Sequence, residues 1–271
     1  MSLVETNWLE KNLNNVKIID CSWHMPLTRR NGLEEYKKQH IPNSIFFDLD
    51  ENSKKDTKLP HMLVQEEDWN NIVSKMGINN TDKVVIYDNS DVISSCRLWF
   101  NLIYFGHNAK LVHVLNGGFQ KWLSENKRVT DQVSGIDNSN YKSLEKKELV
   151  KDKIMIDKNL DVQDFKIIDA RSKDRFHGKI PEPREGLRSG SIRNSFCIPF
   201  NTCLNEDRTF KKKSELEKIF KECLKDLNEK NIVFSCGSGV TACVLALAYS
   251  LINDKYLPCI YDGSWAEYGM I

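Results

Sequence analysis

The chain contains itself twice, and that duplication limits its possible folds more than any other feature. Lys17-Ile18-Ile19-Asp20 recurs as Lys166-Ile167-Ile168-Asp169, and Ile41-Pro42-Asn43-Ser44 is echoed by Ile192-Arg193-Asn194-Ser195. Val84-Val85-Ile86-Tyr87 returns as Ile232-Val233-Phe234-Ser235, and Asn116-Gly117-Gly118, followed by Phe119 and Trp122, is mirrored by Asp262-Gly263-Ser264-Trp265. Each match is weak, but all four come in the same order at offsets of 146 to 151 residues. Such a pattern implies two copies of one domain. A length of 271 residues suits two domains of roughly 135 residues each.

Within each copy, short β-branched runs alternate with helical stretches. Val84–Tyr87 and Leu111–Leu115 read as buried strands flanking a helix over Ser94–Phe105, and Ile232–Ser235 and Pro258–Tyr261 flank Gly239–Ile252 in the same way. The expected class is α/β, with two tandem domains, each a mainly parallel sheet flanked by helices. A polar tract with Gly135, Asp137, Asn138 and a following charge run reads as a linker over 131–153. It divides an N-terminal domain, 1–130, from a C-terminal domain, 154–271.

Composition excludes several partners. Lys+Arg number 39 against Asp+Glu 38, a net charge of +1, so no basic excess argues for nucleic acid or anionic lipid. With 40% hydrophobic and 10% aromatic residues the chain has enough apolar material for two cores. No apolar run approaches the roughly 20 residues that span a bilayer. The opening MSLVETNWLEKNL has neither a secretory apolar stretch nor an Arg-rich bias. The expectation is a cytoplasmic protein that binds no nucleic acid and no membrane, with a monomer adequate.

Of eight cysteines, none sits in a C-x-x-C pair or at ligand spacing from a histidine, which argues against a metal site, and a disulfide framework is no better supported. Most read as small buried hydrophobes. Cys236 differs. The stretch from Asn231 to Leu247 is a strand, a turn opening at Cys236 and containing Gly237 and Gly239, then a nearly all-apolar helix. In parallel α/β sheets ligands bind beyond the carboxyl ends of strands. The glycines permit positive φ and let N–H groups converge at the positive end of the helix. There a thiol, ordinarily a few per cent ionised at neutral pH, gains thiolate character. Cys236 is the candidate nucleophile, whereas Cys243, on the apolar helix, reads as packing. A phosphate-handling cysteine would need an arginine six positions on to grip phosphoryl oxygens, and that position is Ala242.

The CGSGVTA loop, the closing DGSWAEYG (Asp262–Gly269), the stretch RFHGKIPEPREG (Arg175–Gly186) and the tandem repeat together resemble the rhodanese family of two-domain sulfurtransferases. The resemblance covers essentially the whole chain, and CGSGVT is most similar to the loop of the members that use 3-mercaptopyruvate. It implies a double displacement without a cofactor: Cys236 takes sulfur from a small-molecule donor as a persulfide. It then passes the sulfur to a thiol acceptor, such as thioredoxin or a small thiol, or to cyanide. A thiosulfate:cyanide sulfurtransferase is the alternative, but family members preferring that dianion carry basic residues where this chain has Gly237 and Ser238. A catalytically silent module would normally lack the loop cysteine.

The same resemblance assigns substrate binding to Arg175 and Arg184, whose guanidinium groups fork onto a carboxylate or α-keto acid. Gly237, Gly239, Val240 and Thr241 would line the donor. It also pairs Ser238 with His61 and Asp50, brought from the N-terminal domain, as a proton-handling set. Taken singly, these residues read more blandly: Arg175 as a surface partner of Asp174 or Glu182, and His61 as a loop histidine. Arg171 is left as a structural anchor of its strand end. The N-terminal copy has Asp88 where the C-terminal copy has Cys236, so it cannot carry sulfur.

Overall fold

The computed structural model describes residues 2–133 and 135–271. The chain divides into two compact units. Unit 1 comprises 1–54, 63–146 and 206–209, and unit 2 comprises 55–62, 147–205 and 210–271.

In unit 1 the elements run β1 (Leu3–Val4), α1 (Thr6–Asn12), β2 (Lys17–Asp20), α2 (Gly32–Lys38), β3 (Ser44–Phe46), α3 (Glu66–Lys75), β4 (Val84–Tyr87), α4 (Ser95–Tyr104), β5 (Val112–Leu115) and α5 (Gly118–Ser124). The strands form a parallel sheet in the order β1-β5-β4-β2-β3. Val84–Tyr87 is buried at every position. A central parallel strand is covered on both faces, which explains why its sequence is continuously apolar rather than alternating. Leu9, Ile18, Val85, Tyr87 and Trp122 form one core cluster.

Unit 2 repeats the plan with β6 (Val150–Lys151), α6 (Lys153–Val162), β7 (Lys166–Asp169), α7 (Lys173–Phe176), β8 (Phe196–Cys197), α8 (Lys213–Lys221), β9 (Ile232–Ser235), α9 (Thr241–Ser250), β10 (Ile260–Tyr261) and α10 (Ser264–Tyr268). The sheet order β6-β10-β9-β7-β8 is that of unit 1, strand for strand, and is again parallel. Ile156, Ile167, Val233, Tyr261 and Trp265 hold this core. The duplication and the parallel α/β class expected from the repeat are both present.

Boundaries differ by small, explicable amounts. The helix read from Gly239 begins at Thr241, because Gly239 sits at φ +76° and a left-handed residue cannot continue an α-helix. The strand read from Pro258 begins at Ile260, since proline has no N–H for the ladder. The tract 131–153 is not uniform. Through Lys146 it groups with unit 1, where buried Tyr141 stacks on His107 with ring centres 5.8 Å apart, and its end supplies β6 to unit 2. Among the described residues no helix is long and apolar enough to cross a membrane, and no group of His, Cys, Asp and Glu could hold a metal ion.

Candidate active site

β9 delivers the chain to Cys236 at the carboxyl end of the central strand of unit 2, and α9 carries it away. Ala, Leu and Val fill α9, which is buried from Ala242 to Tyr249 and therefore anchors the loop rigidly. The loop is pinned from its far side by α10. Trp265 N–H donates to the Cys236 carbonyl at 3.0 Å and Ala266 N–H to the Gly237 carbonyl at 2.8 Å, while Cys236 N–H donates to Ser264 Oγ at 3.2 Å. The DGSW motif thus has a mechanical role: it satisfies the backbone of the loop. Within the loop, the Cys243 thiol donates to the Gly239 carbonyl at 3.2 Å, so Cys243 braces the turn.

Two arginines converge on this loop. A Cβ placed on Gly237 would lie 3.2 Å from one Nη of Arg175 and 3.6 Å from one Nη of Arg184. The absence of a side chain at Gly237 is what lets both guanidinium groups come up against the loop, one residue on from the thiol. Arg175 stands on α7, whose N-cap Ser172 accepts from the Arg175 N–H at 3.4 Å. Its guanidinium is fixed by Glu182, with Nε to Oε1 at 3.1 Å and Nη2 to Oε2 at 2.6 Å. Glu182 is itself only 1% exposed and also accepts from Arg171 at 2.8 Å.

Arg171 in turn chelates Asp169 at the end of β7, donates to the Gly190 carbonyl and lies over the Trp265 ring at 4.3 Å. It anchors the strand end. One buried carboxylate therefore serves two guanidinium groups, an arrangement that holds its charge and theirs in a single geometry.

Ser238 is the junction of the remaining groups. Arg184 Nη2 donates to its Oγ at 3.3 Å, and His61 Nδ1 lies 3.0 Å from the same oxygen. The Ser238 hydroxyl accepts from the guanidinium and shares a second hydrogen bond with the imidazole, whose tautomer sets its direction. His61 is buried, at φ +61°. It belongs to the segment 55–62 that groups with unit 2, although it comes from the N-terminal half of the sequence. Asp50 groups with unit 1, where its Oδ2 accepts from Trp23 Nε1 at 2.8 Å.

Cys236, Gly237, Ser238, His61, Arg175 and Arg184 thus gather in unit 2, with Gly239, Val240 and Thr241 forming the entry to α9. Burial pushes the thiols of Cys197, Cys203 and Cys259 up to about 12 and that of Cys21 well above its ordinary value, so they stay protonated near neutral pH.

The rhodanese-like domain model matches residues 5–125 and again 152–270. The chain belongs to the rhodanese family. Among its relatives, a thiosulfate/3-mercaptopyruvate sulfurtransferase, mitochondrial, of Arabidopsis thaliana is 38% identical, covering 98% of this chain and 75% of that protein. A 3-mercaptopyruvate sulfurtransferase of Mus musculus is 35% identical over 99% of this chain and 92% of the mouse protein. The crystal structure of SseA from Escherichia coli, described as a 3-mercaptopyruvate sulfotransferase, superposes with a TM-score of 0.87 at 28% identity, covering 98% of this chain and all of that one. In this rhodanese-family chain, Glu182 escaped the reading of the sequence as more than a surface partner. Its only signal was its place between Arg175 and Arg184.

Proposed function

We propose that this protein is a 3-mercaptopyruvate sulfurtransferase, moving sulfur through a Cys236 persulfide to a thiol or cyanide acceptor and releasing pyruvate. The carrying observation is the short span from Cys236 to the two guanidinium groups that come up against its neighbour Gly237. A donor with a carboxylate and keto oxygen at one end and a thiol at the other matches that span, because the arginines take the oxygens while the sulfur meets Cys236. The names of the relatives support the same reading.

The chemistry balances without a cofactor. The Cys236 thiolate attacks the donor sulfur, an S–S bond forms, and the C–S pair leaves as the enolate of pyruvate. The proton carried by the donor thiol ends on the methyl carbon, and the 3.0 Å contact of Ser238 with His61 supports their moving it. Loop amides stabilise the anionic persulfide. An acceptor thiolate then attacks the outer sulfur and regenerates the Cys236 thiolate. In the same proposal Asp50 orients His61, the acceptor is thioredoxin or a small thiol, the chain acts as a monomer, and the setting is cytoplasmic, unlike the compartment in the name of the Arabidopsis relative.

The test supplies 3-mercaptopyruvate with a thiol acceptor and measures pyruvate, beside thiosulfate with cyanide and thiocyanate as the readout. Pyruvate release is expected to be the faster reaction. Absence of pyruvate from the wild-type protein overturns the proposal, and faster thiocyanate formation turns it into a thiosulfate enzyme.

A further inference from the structure

A cavity lies at the amino-terminal end of the unit 2 sheet, the end opposite the Cys236 loop. It has a volume of about 510 Å³, within the range of small-molecule sites. One wall is a stripe of α6, where Met155, Lys158 and Val162 follow the spacing of a single helix face. Cys259 and Asn231 close its floor at the starts of β10 and β9.

The internal repeat shows what this space accommodates. In unit 1 the third residue of α1 is Trp8, whose ring lies 6.4 Å from that of His113, with the Lys83 ammonium 5.2 Å from its centre. Strand registers and helix caps place Met155 at the position of Trp8, Cys259 at that of His113 and Asn231 at that of Lys83. All three line the cavity. Unit 2 therefore has non-aromatic Met155, Cys259 and Asn231 where unit 1 packs an indole, an imidazole and an ammonium group, and a cavity stands there.

Its rim is apolar and basic together. Met155, Val162 and Leu257 are 45%, 49% and 64% exposed, high values for residues of their kind. Lys158, Lys230 and Lys255 stand around them, and among the described residues none of the three is in an ion pair. Against the two lining carboxylates, Glu148 and Asp164, the four lysines including Lys151 leave a local positive excess in a nearly neutral chain. Lys151 already sits over the Phe165 ring at 5.8 Å, so a flat ring has an aromatic neighbour there.

We propose that this cleft is a binding site for a planar aromatic ring carrying a carboxylate. The ring takes the place of the Trp8 indole, and the lysines take the anion. Calorimetric titration of the wild-type protein with indole-3-acetate is expected to give saturable one-to-one binding with Kd below about 1 mM, weakening with salt, and neutral indole binding about tenfold more weakly.

Met155→Trp rebuilds the filled arrangement of unit 1 and is expected to abolish binding. Lys158→Glu with Lys230→Glu, both on exposed positions, is expected to weaken it about tenfold or more without changing the melting temperature or pyruvate release. An Arg184→Ala variant is expected to bind indole-3-acetate as the wild type does. No saturable binding by the folded wild type, undiminished binding by Met155→Trp, or loss of binding in Arg184→Ala each overturns the proposal, the last because it puts the ligand beside Cys236. Should Met155→Trp fail to fold, the double lysine variant decides, and wild-type affinity there overturns it.

Discussion

After β4 the chain turns at Asp88, and after β9 it turns at Cys236. Both turns are held alike: Phe119 N–H donates to the Asp88 carbonyl at 2.9 Å as Trp265 N–H does to that of Cys236. The residue before each donor has positive φ, +59° at Gly118 and +49° at Ser264. What differs is the residue that opens the loop. In unit 1 the loop amides are occupied by the loop's own anion, since the Asp88 carboxylate accepts from Ser90 N–H at 2.8 Å and Ser95 N–H at 3.0 Å, with Arg208 Nη2 at 3.9 Å. In unit 2 the loop begins with a thiol, and Arg175 and Arg184 come up against the glycine that follows it. The Asp88 loop is thus closed on its own carboxylate. The difference teaches that the fold supplies the same pinned turn twice and one residue decides whether that turn binds its own backbone.

The strongest way to break this comparison is Cys236→Ser, which should lower pyruvate release roughly 10⁴-fold or more, whereas Asp88→Asn should leave it within about twofold of wild type. Comparable losses in both variants would mean that the two loops share the chemistry. Next, His61→Ala should reduce kcat roughly 100-fold while alkylation of Cys236 by iodoacetamide proceeds at the wild-type rate. Unaltered turnover would remove His61 from proton handling.

A smaller effect is expected from Glu182→Gln, which loosens Arg175 without touching the cysteine. KM for mercaptopyruvate should rise about tenfold, close to 1.4 kcal/mol, with kcat changing less and Glu182→Asp restoring part of the affinity. A pure loss of folded protein, with normal KM in the survivors, would assign Glu182 to stability alone.

The smallest effect concerns a second pair of matched residues, Asp20 and Asp169, at the ends of β2 and β7. Asp169 is clasped by Arg171, but Asp20 is met by Ser22, and burial pushes its carboxyl up from 3.8 to about 7. In the unfolded chain that carboxyl ionises near 4, so between about pH 4 and pH 7 the unfolded state loses its proton first. Stability therefore falls as pH rises through this window and levels off above it, by about 4 kcal/mol at most. Asp20→Asn keeps an acceptor for Ser22 and removes the ionisation. It should raise the melting temperature at pH 8 and leave it nearly unchanged at pH 4. Equal shifts at both pH values would contradict this account.

Much of this architecture was legible because the repeat is written in residues that strands and turns require. Lys-Ile-Ile-Asp marks a buried strand in both copies, and Gly117-Gly118 with Gly263-Ser264 marks the turn that pins each loop. The Cys236 loop was legible for the same reason: its glycines have local causes. Glu182 was not, since its burial depends on Arg171 and Arg175 folding over it from another element. Nor does local sequence show that His61, numbered among N-terminal residues, packs with Ser238. Its partner lies 177 positions away, and no periodicity reports a contact at that range.

The segments 55–62 and 206–209 each group with the unit that the other half of the chain supplies. For the history of such a gene this has a plain consequence. A duplication whose products stay independent can be trimmed back to one copy, but here deletion of the half without the loop cysteine would take His61 with it, and deletion of the other would strip Arg208 from beside Asp88. Each copy has become a donor of parts to its twin, so the pair is inherited as an indivisible whole.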